Sequence, residues 1–214
     1  MVPPKFDATF VEQLDLLMRW RRDVRHFRRD TLPEGDALRL IEAAALAPSV
    51  GNAQPWRFVR VRSAALRETL AQHVDASSAM AADEMADPVR QEKYRALKLH
   101  GLREAPEVMA VFNDDHPPAG HSLGRATMPE TLRYSTVMAI YNLWLSARAV
   151  GLGVGWVSIV DPVAVAKILE VADGWALIAL LCIGYPVEPA DVPELEQREW
   201  QARLPVGSYI IDRR

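Results

Sequence analysis

The sequence predicts a sheet covered by helices, in an α+β or α/β arrangement in which helix dominates. Three observations point there. Half of the 214 residues are hydrophobic, which suits one domain with a sizeable core or a protomer of a larger assembly. Several short apolar runs have the composition of strands. Between them lie segments whose apolar residues recur at helical spacing.

Taken in order, Phe10, Leu14 and Leu17 define a first amphipathic helix that ends near a cluster of arginines. Pro33, Glu34 and Asp36 introduce a second helix, Ala37 to Ala47, which Pro48 stops. PSVGNAQPW is a loop by composition, and RFVRVR alternates as a strand. The charged stretch Ala82 to Arg103 reads as a surface helix pair or a cover. EVMAVFND is a second strand, and DDHPPAGHSLGRATMPE a loop. From Tyr134 a long helix is expected, buried on more than one face and capped by Gly151. GVGWVSIV then reads as a strand, VAVAKILEV as a short helix and WALIALLCIGY as a buried strand, with SYII as a last strand in the tail.

Composition narrows the function. A net charge of -3 gives no global attraction to nucleic acid, so no nucleic-acid partner is expected. No apolar run approaches the roughly 20 residues needed to span a bilayer, and MVPPKFDATFVEQ lacks the features of a signal peptide. No membrane partner is expected. The single cysteine, Cys182, lies in an apolar run, which fits a buried thiol and a cytoplasmic location. The histidines lack metal-ligand spacing, so no metal is expected.

Three local signals carry chemistry. In RRDVRHF, Arg21, Arg22 and Arg25 suit phosphate oxygens, or else complement a helix C-terminus. Asp23 among them is an electrostatic oddity. In PSVGNAQPW, Asn52 and Gln54 offer amides of the kind that read a heterocycle's polar edge, unless the stretch is an ordinary turn. In GLGVGWVS, a helix precedes and a strand follows, which is the reverse of a dinucleotide fingerprint. There the glycines allow backbone to approach something flat.

The order RRxxRxF, PSxxNxQPW, YNLWLSARAVGLGVGW and WQxRLP resembles the flavin-dependent nitroreductase family over nearly the whole chain. RRDVR, KYRALKLHGLREAP and GLGVGWVSI with Ser158 are similar to its 5,6-dimethylbenzimidazole synthase branch. That resemblance implies one α+β domain over residues 1–214, with a central mixed or antiparallel sheet. It implies a homodimer with FMN sites at the interface, a lid-like segment at about 82–133 and a C-terminal arm at about 187–214. Carried over by position, Arg21, Arg22, Asp23, Val24 and Arg25 would contact FMN. Ser49, Val50, Gly51 and Gln54 would line the ring, with Leu99, Gly155, Trp156 and Ser158 beside it. Arg203 would meet the phosphate.

The implied reaction fragments reduced FMN with O2 to dimethylbenzimidazole and erythrose 4-phosphate, which needs a closed pocket and a group that moves protons. Asp23 and Ser158 are the expected catalytic residues, and a carboxylate amid arginines is expected to have a lowered pKa. A separate flavin reductase would supply reduced FMN. The rival readings are an NAD(P)H-dependent nitroreductase or flavin reductase that cycles its FMN, and a flavin-binding protein without turnover.

Overall fold

Alternation along the two central strands, interrupted once by a bulge where Val111 and Phe112 meet the facing strand, buries both faces of one sheet, and helices close over each face. The structure, a computed structural model, describes residues 3–213. The strands are β1 (Trp56–Arg60), β2 (Glu107–Asp114), β3 (Gly153–Val157) and β4 (Trp175–Gly184). Their spatial order is β1-β2-β4-β3, and every pairing is antiparallel. Along β2, Met109 and Val111 point to one core cluster, while Val108, Ala110 and Phe112 point to the other. Likewise Leu181 and Ile183 of β4 face the first cluster, and Leu180 and Cys182 the second.

The first face is covered by α2 (Asp36–Ala45) and α5 (Thr131–Ala149), through Leu40, Ala44, Ile140 and Leu143. The second is covered by α3 (Ala64–Asp83) and α6 (Pro162–Ile168), through Leu70, Val74 and Val165. Helix α3 has no counterpart in the elements read from sequence. It begins at the cap Ser63, whose side chain accepts from the Leu66 N–H. Helix α4 (Pro88–Arg95) follows as a short surface piece with Asp87 as its cap.

Helix α5 ends as Gly151 implies. Gly151 has φ 79°, its N–H donates to Arg148, and the Leu152 N–H donates to Ala147, closing a Schellman turn. Expectation and structure differ over its burial. Leu132, Thr136, Ile140 and Leu143 are buried, whereas Tyr134, Val137, Met138 and Tyr141 are at least 40% exposed in the single chain. These four lie at i, i+3, i+4 and i+7 and form an uncovered apolar stripe. Helix α1 (Ala8–Trp20) has no buried residue and exposes Phe10, Val11 and Leu14.

The tail also departs from expectation. SYII forms no strand: Val206–Tyr209 is a 3-10 turn followed by exposed Ile210 and Ile211. The β3 edge of the sheet is already occupied, because residues 23 and 24 pair with it. No helix among the described residues is long and apolar enough to cross a membrane.

Candidate functional site

The arginine segment leaves α1 at Arg21, whose backbone is extended, and runs along the outer edge of β3. The Val24 N–H donates to the Val154 carbonyl (3.0 Å), and the Trp156 N–H donates to Asp23 Oδ1 (2.8 Å). Further on, the Arg28 N–H donates to Tyr185, and the Val187 N–H donates to His26. The segment is thus stitched to β3 and then to the chain beyond β4.

This pairing explains the glycines of GLGVGWVS. A side-chain carbon at Gly155 would lie 2.1 Å from the Val24 carbonyl oxygen, and one at Gly153 would lie 2.6 Å from the Val24 side chain. The room they provide is filled by Val24, its backbone at Gly155 and its side chain at Gly153. The flat object inferred from sequence is not needed to explain them.

The three arginines diverge. Arg25 donates from Nη2 to Asp23 Oδ2 (2.9 Å), and its Nη1 lies 4.0 Å from Glu194. Arg21 lies over the Trp144 ring, 4.9 Å from its centre, and Trp144 in turn stacks on Trp156. Trp144 is held in place by its indole N–H, which donates to the Arg22 carbonyl (3.0 Å). Arg22 donates to the Arg21 and Asp191 carbonyls. It shares a surface depression with Arg19, Arg203, Asp15 and Asp191. Burial lowers its pKa, and the like charges of Arg203 and Arg21 push in the same direction.

Each arginine keeps one buried nitrogen without a hydrogen-bond partner among the described residues: Arg21 Nε, Arg22 Nε and Arg25 Nη1. Buried donors are rarely left unpaired, so this donor set fits an anionic, oxygen-rich ligand such as FMN.

Asp23 requires a correction. Its pKa is raised, because burial outweighs the Arg25 charge, the Trp156 N–H and Arg21, all of which favour the ionised form. The expectation of a lowered value counted the arginines and missed the burial. About 30% of the Asp23 side chain stays accessible through a cleft of about 390 Å³ walled by Arg25, Trp144 and Glu194. A carboxyl so placed suits proton transfer better than a fully ionised one.

The remaining expected residues fall in two places. Ser158 follows the last residue of β3, on the same side of the strand as Trp156, and is exposed. Leu99 is half-buried just before Gly101, which packs on Arg25 and Phe27. Ser49, Val50, Gly51 and Gln54 lie elsewhere. Their loop has three residues in the left-handed region, Gly51 (φ 57°), where glycine is at ease, and Asn52 (φ 54°) and Gln54 (φ 49°), where a side chain is strained. It is tied down by Ser135 of α5, whose Oγ accepts from the Val50 N–H (3.1 Å), and by Ser49 Oγ, which accepts from the Gln54 N–H.

Ser135 and Trp144 therefore mark two stations on α5. Nine residues of helix put them roughly 13 Å apart along its axis. Within one chain the loop and the arginines lie apart along α5, with the exposed stripe between them.

Sequence reading missed Trp144, which was taken as helix core, and Glu194, which was one acid in an acidic tail. Ser135 was also missed, and no local motif marks it, whereas Phe27 ends RRxxRxF but its packing role is not visible there. β2 divides the 82–133 segment: its first half packs against α3, and its second half reaches the Val50–Ala53 loop, where Gly51 and Gly120 interlock. Among the described residues no group of metal-ligating side chains occurs.

The same fold recurs in known proteins. The chain is 54% identical to the 5,6-dimethylbenzimidazole synthase of Rhodospirillum rubrum, over 94% of this chain and 95% of that one. It is 48% identical to the enzyme of the same name from Rhodobacter capsulatus, over 94% and 96% of the two chains. Among solved structures, an iodotyrosine deiodinase bound to FMN and 3-iodo-L-tyrosine superposes with a TM-score of 0.70. It shares 26% identity over 83% of this chain and 91% of its own. The profile of the nitroreductase family matches residues 18–185, and with that span and these relatives the chain belongs to the nitroreductase family.

Proposed function

We propose that this protein is a 5,6-dimethylbenzimidazole synthase, which fragments reduced FMN with O2 to dimethylbenzimidazole and erythrose 4-phosphate. One observation carries the reading: a half-sequestered carboxyl, Asp23, held by the Trp156 N–H and Arg25 inside a cluster of guanidinium groups. The relatives of the same name support it.

Arg21, Arg22 and Arg203 hold the phosphate and the chain next to it, since Arg203 and Arg21 crowd their positive charge around Arg22, and Arg21 and Arg22 each keep an unpartnered Nε. Reduced FMN supplies the electrons for O2 and is itself the carbon source of the product. Asp23 accepts and returns protons at Oδ1 or Oδ2, each of which keeps a free lone pair beyond its present hydrogen bond. Its raised pKa brings that exchange closer to neutrality. Ser158 supplies a hydroxyl on the Trp156 side of β3. The segment at 82–133 and the arm at 187–214 cover the site and limit water.

The complete site is dimeric in this reading. Burying Tyr134, Val137, Met138 and Tyr141 against a second copy sets that copy's Ser49–Gln54 loop beside these arginines. A separate flavin reductase supplies the reduced FMN.

The test is to mix the protein anaerobically with chemically reduced FMN, admit air and search for dimethylbenzimidazole by mass spectrometry. Formation of the product is expected. Clean reoxidation to FMN, with or without NAD(P)H, would favour a cycling reductase or a flavin-binding protein instead.

A further inference from the structure

Phe27 ends the segment that carries Asp23, and its ring is only 4% exposed. Glycines from three parts of the chain surround that ring. A side-chain carbon at Gly101 would stand 2.5 and 2.6 Å from two ring carbons, and 3.1 Å from the Arg25 carbonyl oxygen. One at Gly184 would stand 3.3 Å from the ring, and one at Gly155 would stand 3.7 Å from it. Gly101 does not occupy the left-handed region, so space rather than conformation requires glycine there.

Gly101 is held in turn from α3. His100 Nε2 lies 2.8 Å from Asp75 Oδ1, and Arg103 donates to both Glu68 and Asp75. The Arg67 guanidinium donates to the Ala105 and Pro106 carbonyls (3.0 and 2.9 Å). Lys98 pairs with Glu104 (3.2 Å). The whole stretch from Lys98 to Pro106 is therefore clamped to one helix, with Gly101 as the face turned toward Phe27 and Arg25.

We propose that this clamped stretch is a positioning element for Asp23. By seating Phe27 and the Arg25 backbone, Gly101 fixes where the Asp23 carboxyl meets the Trp156 N–H and the Arg25 guanidinium. The role rests on the reading of Asp23 as the proton-moving group of the synthase. It assigns work to residues that touch neither flavin nor oxygen: Gly101 and Phe27 directly, and Asp75, His100 and Arg103 through them.

The test uses Gly101→Ala, with two readouts. The first is the titration of the Asp23 carboxyl in flavin-free protein, followed by carbon-13 NMR and assigned with Asp23→Asn. A displaced Asp23 loses the two donors that favour its charge while staying buried, so its midpoint moves up. The second is dimethylbenzimidazole formed per reduced FMN consumed at saturating FMN, which is expected to fall on the order of 10- to 100-fold. Adding Phe27→Leu to the same chain removes the ring's Cε2, one of the two carbons the new methyl group meets, and moves both readouts back toward the wild type. Asp75→Asn, an exposed change with no clash, moves the midpoint in the same direction by less, and serves if Gly101→Ala fails to fold. An unmoved or lowered midpoint, or a shift that Phe27→Leu does not reverse, overturns the proposal. The NMR readout needs no turnover. If the wild type makes no product but the midpoint responds, the synthase reading fails and the positioning of Asp23 stands.

Discussion

Replacing Gly155 by alanine separates two explanations of the glycine-rich strand. If Gly155 makes room for Val24, the added methyl group damages the protein even without flavin. If it makes room for a ligand, only ligand binding suffers. In the structure the new carbon falls 2.1 Å from the Val24 carbonyl oxygen, so Val24 must withdraw by roughly 1 Å to regain ordinary contact. That shift stretches the 3.0 Å bond from the Val24 N–H and the 2.8 Å bond from Trp156 to Asp23 beyond useful length. Overpacking costs about 1–3 kcal/mol. A lost neutral hydrogen bond adds about 1 kcal/mol, and one to a charged group about 1.5–3 kcal/mol. These costs overlap, so a loss of about 3–5 kcal/mol is expected. With a urea m-value of about 2–3 kcal/mol/M, the midpoint falls by roughly 1–2 M. Urea unfolding of the flavin-free protein, followed by tryptophan fluorescence, measures it. A loss under about 1 kcal/mol together with abolished FMN binding would refute the assignment of that space to Val24.

Four further outcomes follow from the same geometry. Asp23→Asn keeps FMN binding and lowers product formation by about 10²–10⁴-fold, the usual worth of a general acid or base, measured by product yield over time. Because the Asp23 pKa is raised on folding, its contribution to stability is full below the unfolded carboxylate value and is lost as pH rises through the folded one. The stability of the wild type relative to Asp23→Asn therefore declines across that window and then levels, which melts at a series of pH values will show. Ser135→Ala leaves the half-buried Val50 N–H without its acceptor, costs about 1–3 kcal/mol in urea unfolding and weakens FMN binding through the loop. Val137→Asp places a charge in the exposed stripe of α5, so sedimentation should find monomers, and those monomers should fail to hold FMN.

The parts of the fold legible in the sequence are those whose burial is complete within one chain. β2 and β4 announce themselves because both of their faces are covered, so the apolar run is nearly unbroken. Helix α5 was legible as a helix but not in its surroundings. An apolar face left exposed in the single chain has the same composition as one buried in the core. Helix α3 escaped because alanine, serine and threonine dilute its buried positions, Leu70, Ala71 and Val74, and only Ser63 marks its start. SYII has the β-propensity of a strand, but the β3 edge was already taken. The site was half legible: the arginines and the loop were visible as motifs, whereas Trp144, Phe27 and Glu194 act through contacts far apart in sequence.

The acid in RRDVRHF also takes on a different meaning once its partners are known. A serine in place of Asp23 could accept from the Trp156 N–H but could not neutralise Arg25. The carboxylate does both, with one oxygen on the strand and the other on the guanidinium. It thereby withdraws Arg25 from the positive cluster and leaves Arg21, Arg22 and Arg203 as the charges facing an anion. Charge repulsion between Asp23 and a phosphate is small for the same reason, since Arg25 stands against the carboxylate and burial favours its protonated form. On the proposed function, the arrangement divides one arginine cluster into an anion site and an acid–base site, with β3 at the boundary between them.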